Sequence, residues 1–127
     1  MFKFDKDKDR FFMMHPVACL IAMDMAFWSL SKGLPFTITS TMSSLEEDKR
    51  IGRKSRTHRE GRAFDLSVKG WSSEDIDEFI VHFCKKYEEH SAISSQTLQP
   101  KLVVYHVGTA AHFHVQVHPR YTMENSL

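Results

Sequence analysis

Two long segments of the chain carry the residue pattern of helices. Residues 16–32 are apolar almost all round, with Pro16 suited to the first helical turn and Gly33 to the position after the last turn. Residues 73–89 repeat apolar side chains every three or four positions, and Ser72 stands in front of them as a capping residue. We therefore predict a central core helix and a second, amphipathic helix.

Four other segments alternate apolar and polar residues as strands do, namely 36–41, 63–68, 101–106 and 111–117. Residues 42–57, between the first two strands, are polar and charged, which predicts a long exposed loop containing a short helical turn. Helices and strands in this order favour an α+β fold, in which helices cover one face of a small antiparallel sheet.

The length and charge of the chain limit the possible functions. At 127 residues, 42% of them hydrophobic, the chain has the size of one domain with one core. We predict a single domain over residues 1–127, with a loosely packed segment at 1–12 and a tail at 118–127. Lys and Arg number 17 against 16 Asp and Glu, so charge favours neither nucleic acid nor a membrane as partner. We expect a monomer.

The cysteines and the N-terminus indicate a protein made in the cytoplasm. Cys19 and Cys84 lie in predicted helices, and two thiols do not form a disulfide framework. The first ten residues alternate in charge and lack the apolar core of a signal peptide. The longest apolar stretch, residues 17–30, contains Asp24 and is shorter than the about 20 residues that span a bilayer.

One motif carries residues suited to metal binding. Residues 58–65 read His-x-x-Gly-x-Ala-x-Asp, in which His58 comes from a loop and Asp65 from a predicted strand. Gly61 permits a turn with positive φ, and Ala63 leaves room beside the strand. An imidazole and a carboxylate are both ligands that zinc accepts.

This motif resembles the zinc signature of the D-Ala-D-Ala carboxypeptidase family, which includes vancomycin-resistance dipeptidases, phage L-alanyl-D-glutamate endolysins and, distantly, Hedgehog signalling domains. The resemblance implies a Hedgehog-like fold in which His58 and Asp65 are two of three Zn²⁺ ligands. The third ligand in the family is a histidine on a late strand, which is His112 or His114 here. Family members with a His-x-His pair favour His114. Two imidazoles and one carboxylate leave the open fourth position of a catalytic zinc.

The acidic general base of the family has no counterpart in this chain. The family places Glu or Asp three residues before the third ligand, where this chain has Ala111 or Thr109. We expect His112 to act as the catalytic base instead, because a neutral imidazole can accept the proton of an attacking water.

The substrate-binding arginine of the family is also missing from its usual place. The family carries Ser-Gly-aromatic-Arg before the motif, whereas residues 40–43 are Ser-Thr-Met-Ser. We expect Arg50 or Arg56, or else Arg53 between them, to bind the substrate carboxylate, because guanidinium pairs with carboxylates in a planar fork.

The resemblance implies hydrolysis of peptidoglycan stem peptides, at D-Ala-D-Ala as a carboxypeptidase or at L-Ala-D-Glu as an endopeptidase. The small size favours a phage-type lytic enzyme that reaches the cell wall after release. The first alternative is a zinc-binding virion or structural module without turnover, since the acidic base is absent. A remote alternative is a DNA nickase with His112 and His114 as metal motif and Tyr121 as nucleophile, which leaves His58 and Asp65 unexplained.

Overall fold

The computed structural model describes residues 1–108 and 110–127, and within them the predicted α+β fold is confirmed. Thr109, one of the two positions considered for an acidic base, lies outside the described residues. Four strands form one antiparallel sheet in the order β1-β2-β4-β3, with β1 at Ile38–Ser40, β2 at Ala63–Ser67, β3 at Val103–His106 and β4 at His112–Gln116. The α-helices are α1 at Asp5–Arg10, α2 at Pro16–Ser31, α3 at Leu45–Ile51 and α4 at Ser73–Lys86.

Both predicted helices form close to their expected bounds. Helix α2 begins at Pro16, as predicted. Helix α4 begins after Ser72, whose hydroxyl accepts a hydrogen bond from the backbone of Asp75 while the Asp75 carboxylate accepts one from the backbone of Ser72. It ends at Lys86, and the chain continues as a 3₁₀ turn at Glu88–His90. No helix in the described part of the chain is long and apolar enough to cross a membrane.

The hydrophobic core lies on one side of the sheet and leaves the other side polar. Phe113 and Val115 of β4 are fully buried, whereas His112 and His114 alternate with them on the opposite face. Phe113 stacks on Phe79 of α4 with ring centroids 4.5 Å apart. Each large apolar side chain buried in this way contributes about 1.5–3 kcal/mol to folding. The helices thus cover the apolar face, and the polar face carries the histidines.

Residues 1–12, predicted to be a loosely packed segment, include two buried side chains. Phe11 is only 2% exposed. The buried Asp7 carboxylate of α1 accepts hydrogen bonds from Thr41, at 2.8 Å from the backbone nitrogen and 2.7 Å from the hydroxyl. This one aspartate of a charged segment turns inward and attaches α1 beside β1.

The C-terminal tail is attached to the loop that carries the metal-binding motif. The side-chain amide of Asn125 donates to the carbonyls of Ser43 and Arg59, at 2.8 Å each. The backbone nitrogen of Met123 donates to the Glu60 carbonyl at 2.7 Å. The tail therefore closes over the turn that precedes β2.

Gly61 in this turn has no space for a side chain. Its φ is +67°, and a Cβ added to it would lie 2.8 Å from Met42 Cε and 3.1 Å from Met123 Cβ. Gly33, after α2, has a similar φ of +73°, but a Cβ there would meet no atom within 4 Å. Both positions favour glycine for the backbone angle, and only Gly61 also needs it for space.

Replacing Gly61 with Ala should therefore lower the free energy of unfolding by about 1–3 kcal/mol more than replacing Gly33 with Ala, because only Gly61 adds crowding to the left-handed backbone angle. Urea unfolding followed by circular dichroism measures both variants against the parent. Equal losses in the two variants would show that Met42 and Met123 do not confine the turn.

Candidate metal centre

His58 is held in one tautomer by the backbone. The residue is 2% exposed and lies in the turn between α3 and β2. Its Nδ1 lies 2.8 Å from the carbonyl oxygen of Thr41. A carbonyl only accepts hydrogen bonds, so Nδ1 carries the proton and donates it. The other ring nitrogen, Nε2, faces Asp65 at 3.2 Å from Oδ1.

Asp65 and His114 meet because the sheet places them opposite each other. They are directly paired in the register of β2 and β4, so both side chains stand on the polar face. His114 Nδ1 lies 2.9 Å from Asp65 Oδ1. The second nitrogen of His114 lies 3.2 Å from the side-chain oxygen of Gln116 and 3.5 Å from the Thr57 hydroxyl. Gln116 thus orients the ring, as hydrogen-bonded partners of metal-binding histidines do.

The three side chains form a group that could hold a metal ion, since one ligand atom from each lies within 4.8 Å of the others. The neutral Nε2 of His58 and the carboxylate of Asp65 each present a lone pair, and two lone pairs at this distance repel. A cation placed between them would be held by both lone pairs. Imidazole nitrogens and a carboxylate oxygen are ligands that zinc accepts, so the donor set suits a metal ion.

The pKa of Asp65 shows how strongly this group favours negative charge on the carboxylate. Burial alone would raise that pKa, but the hydrogen bonds from His114 and His58 outweigh the burial. The pKa of Asp65 consequently lies well below its ordinary range. An ionised carboxylate is the form that binds metals.

The three side chains open into a depression of about 370 Å³ on the polar face of the sheet. Besides them, it is lined by Arg53, Ser55, Val104, His106, His112 and Gln116. His112 is therefore close to the group without belonging to it. The structure places His114, and not His112, in the group with His58 and Asp65.

His112 and His106 form a stacked pair beside the group. They are partners in the register of β3 and β4, and their ring centroids lie 5.0 Å apart. His112 Nδ1 lies 2.9 Å from the carbonyl of Ala110 and so carries a proton, which leaves its Nε2 as the basic nitrogen. Partial burial lowers the pKa of His106, and His112 and His114 lower it further. The sequence prediction overlooked His106, although the hairpin around Gly108 pairs it with His112.

Arg50 and Arg56, two of the three arginines expected to bind substrate, do not line this depression. Arg50 lines a separate depression beside α1, and Arg56 lines another beside the C-terminal tail. Arg53 lines the depression instead. The reason is local: Gly52 ends α3 with φ +75° and turns the chain, so Arg53 faces the sheet while Arg50 remains on the helix.

Arg53 is held in place by a buried carboxylate that the sequence did not identify. Asp48 of α3 is 2% exposed and accepts hydrogen bonds from the Ser43 hydroxyl at 2.6 Å and from Arg53 Nη1 at 3.0 Å. Arg59 Nε lies 3.3 Å from its other oxygen. The second guanidinium nitrogen of Arg53 lies 3.9 Å from Asp65 Oδ2. Asp48 thereby aims Arg53 at the candidate metal centre.

No family model, curated protein or solved structure matches this chain. The resemblance to D-Ala-D-Ala carboxypeptidases therefore depends on the motif at residues 58–65 and on the late histidine pair. Tyr121, the nucleophile of the nickase alternative, hydrogen-bonds His90 Nδ1 at 2.6 Å and is absent from the described lining of the depression. Function has to be inferred from the geometry of the site.

The first prediction for this site concerns metal affinity. The purified, EDTA-stripped protein should bind one Zn²⁺ ion, and His58→Ala, Asp65→Ala and His114→Ala should each weaken binding by about 100-fold or more, because each removes one of three ligands. Titration against a chromophoric chelator measures these affinities.

Two variants serve as controls for this titration. His82→Ala removes an exposed histidine of α4, and His112→Ala removes the one beside the group, so both should keep the parent affinity within about threefold. If His112→Ala loses as much zinc affinity as His114→Ala, the choice of His114 over His112 as the third ligand is contradicted.

Proposed function

We propose that this protein is a zinc-dependent peptidase that hydrolyses a peptide bond in peptidoglycan stem peptides, and that it acts at the cell wall after release or delivery. The observation that carries the proposal is the buried group of His58, Asp65 and His114, in which two residues of the motif meet the late-strand histidine. These are the three positions at which the resemblance implies ligands.

The donor set suits zinc and leaves room for catalysis. Two imidazole nitrogens and one carboxylate would hold zinc by three of its four usual bonds, and the depression would give solvent and substrate access to the fourth. The donor atoms already lie close together, since Asp65 Oδ1 is 2.9 Å from His114 Nδ1 and 3.2 Å from His58 Nε2. Zinc in such a site supplies a Lewis acid that activates water and polarises a peptide carbonyl.

His112 is the residue proposed to accept the proton of the attacking water. Its Nδ1 donates to the Ala110 carbonyl, so the lone pair of Nε2 is available inside the depression. Ala111 has no group that can accept a proton. His106 stacks on His112 and limits the movement of its ring. An imidazole near neutral pH is suited to take a proton and return it to the leaving amine.

Arg53 is the residue proposed to bind a carboxylate of the substrate. Its guanidinium faces the depression while Asp48 holds it from behind, so it presents positive charge without having to be ordered on binding. Stem peptides carry carboxylates both at the D-Ala terminus and on D-Glu. Either one would suit this arginine, which is why the geometry favours a peptide acid over a neutral amide.

Activity should appear as new amino groups released from purified peptidoglycan by the zinc-loaded protein. His58→Ala should reduce the rate to background, and His112→Ala should lower kcat by about 10²–10⁴-fold while zinc stays bound, because general base catalysis contributes about that much. His82→Ala serves as the control and should match the parent. Full activity in His112→Ala would exclude His112 as the base.

Arg53 should affect substrate binding more than turnover. Arg53→Ala should raise KM by about 10-fold or more with a smaller change in kcat, because a charge-assisted contact to a carboxylate is lost. Steady-state kinetics on a stem peptide measure both constants. Arg50→Ala is the matched control, since Arg50 lines a different depression and should leave KM unchanged. Equal effects of the two substitutions would refute the assignment.

A zinc-binding module without turnover is the second candidate, and one observation favours it. Among the described residues that line the depression, Asp65 is the only carboxylate, and it already belongs to the metal-binding group. The protein would then bind zinc with the predicted affinity and release no amino groups from peptidoglycan. The two experiments together separate this candidate from the peptidase.

A further inference from the structure

Helix α2 presents an apolar stripe to solvent on the side away from the core. Its exposed large side chains are Leu20, Met23, Phe27 and Leu30, which we call the α2 seam. Their spacing of three, four and three residues is the heptad spacing of helices that pair with another helix. The helix is therefore apolar both on the side that faces the core and on the side that faces solvent.

The α2 seam carries no charge. The exposed residues of α2 are those of the seam together with Pro16 and Ser31. The acidic residue of the helix, Asp24, is partly buried and engaged by Lys86 at 2.7 Å and by the hydroxyl of Tyr87. An uncharged stripe does not attract an acidic or a basic partner, and it does not repel a second copy of itself.

The area of the seam suits a small two-fold interface. Phe27 is 73% exposed, Leu20 64%, Leu30 63% and Met23 42%. With about 150–200 Å² for each whole side chain, the seam offers roughly 400 Å² of apolar surface. Two seams packed together would bury about 800 Å², which is the size of weak and transient interfaces.

We propose that two copies of this chain associate through their α2 seams in a two-fold dimer of modest affinity. In a two-fold interface the same patch serves both partners, which requires a self-compatible surface such as this one. The seam has the spacing, the neutrality and the area for this pairing. The monomer expected from the sequence is then the form present at low protein concentration.

The dimer leaves the candidate metal centre accessible. Helix α2 contributes Ile21, Ala22 and Met25 to the core on the apolar side of the sheet. The depression with His58 and His114 lies on the polar side. Association is therefore independent of metal binding and of the proposed peptidase activity.

Sedimentation velocity of the full chain over about 2–300 µM tests the proposal. The parent should shift from monomer toward dimer within this range, with a dissociation constant of about 10–200 µM, which is a modest affinity. Phe27→Glu places a charge at the centre of the seam and should weaken association by about 30-fold or more. Met23→Lys should act in the same direction.

Leu98→Glu is the matched control, because Leu98 is 75% exposed in a loop far along the chain from α2. It should change the dissociation constant by no more than about twofold. Circular dichroism verifies that all variants are folded. A parent that stays monomeric at 300 µM would overturn the proposal, as would equal effects of Phe27→Glu and Leu98→Glu. Monomers that bind neutral phosphatidylcholine vesicles through Phe27 without associating would overturn it as well.

Discussion

The buried carboxylate of Asp65 is the constraint on which the site depends. It stands on the polar face of the sheet with two imidazoles directed at one of its oxygens, at 2.9 and 3.2 Å. The Thr41 carbonyl accepts the hydrogen bond from the Nδ1–H of His58, so the lone pair of Nε2 faces Asp65. A metal ion between the two would be held by both lone pairs.

The scaffold around this carboxylate is fixed from both ends of the chain. Thr41 donates its N–H and hydroxyl to Asp7 of α1, and its carbonyl accepts from His58. The N-terminal helix therefore positions His58, a member of the candidate metal centre, through Thr41. The C-terminal tail holds the same turn through Asn125, which binds the carbonyl of Arg59. The N-terminal helix and the C-terminal tail, which the sequence predicted to be peripheral, thus both support His58.

Local patterns predicted the four strands and the helices α2 and α4, and the resemblance of the motif supplied the residues of the candidate group. Period-two alternation placed His114 and Asp65 on polar strand faces, and the antiparallel register then paired them. Contacts between distant segments had no such pattern. The choice of Arg53 over Arg50 depends on the turn at Gly52 and on Asp48, whose partners lie in separate parts of the loop. The repeat of apolar residues every two positions in a strand, or every 3.6 in a helix, carries no information on such contacts.

Metal binding and turnover make different demands on this site. The three side chains of the candidate group are buried or half-buried, and each of the two imidazoles is oriented by a further partner. In the proposed peptidase, proton transfer would depend on the single imidazole of His112, which is oriented by one backbone carbonyl and by stacking on His106. The residues that would hold a metal ion are therefore more closely confined than the residue that would move the proton. Small changes around β3 and β4 should consequently affect turnover before they affect metal binding.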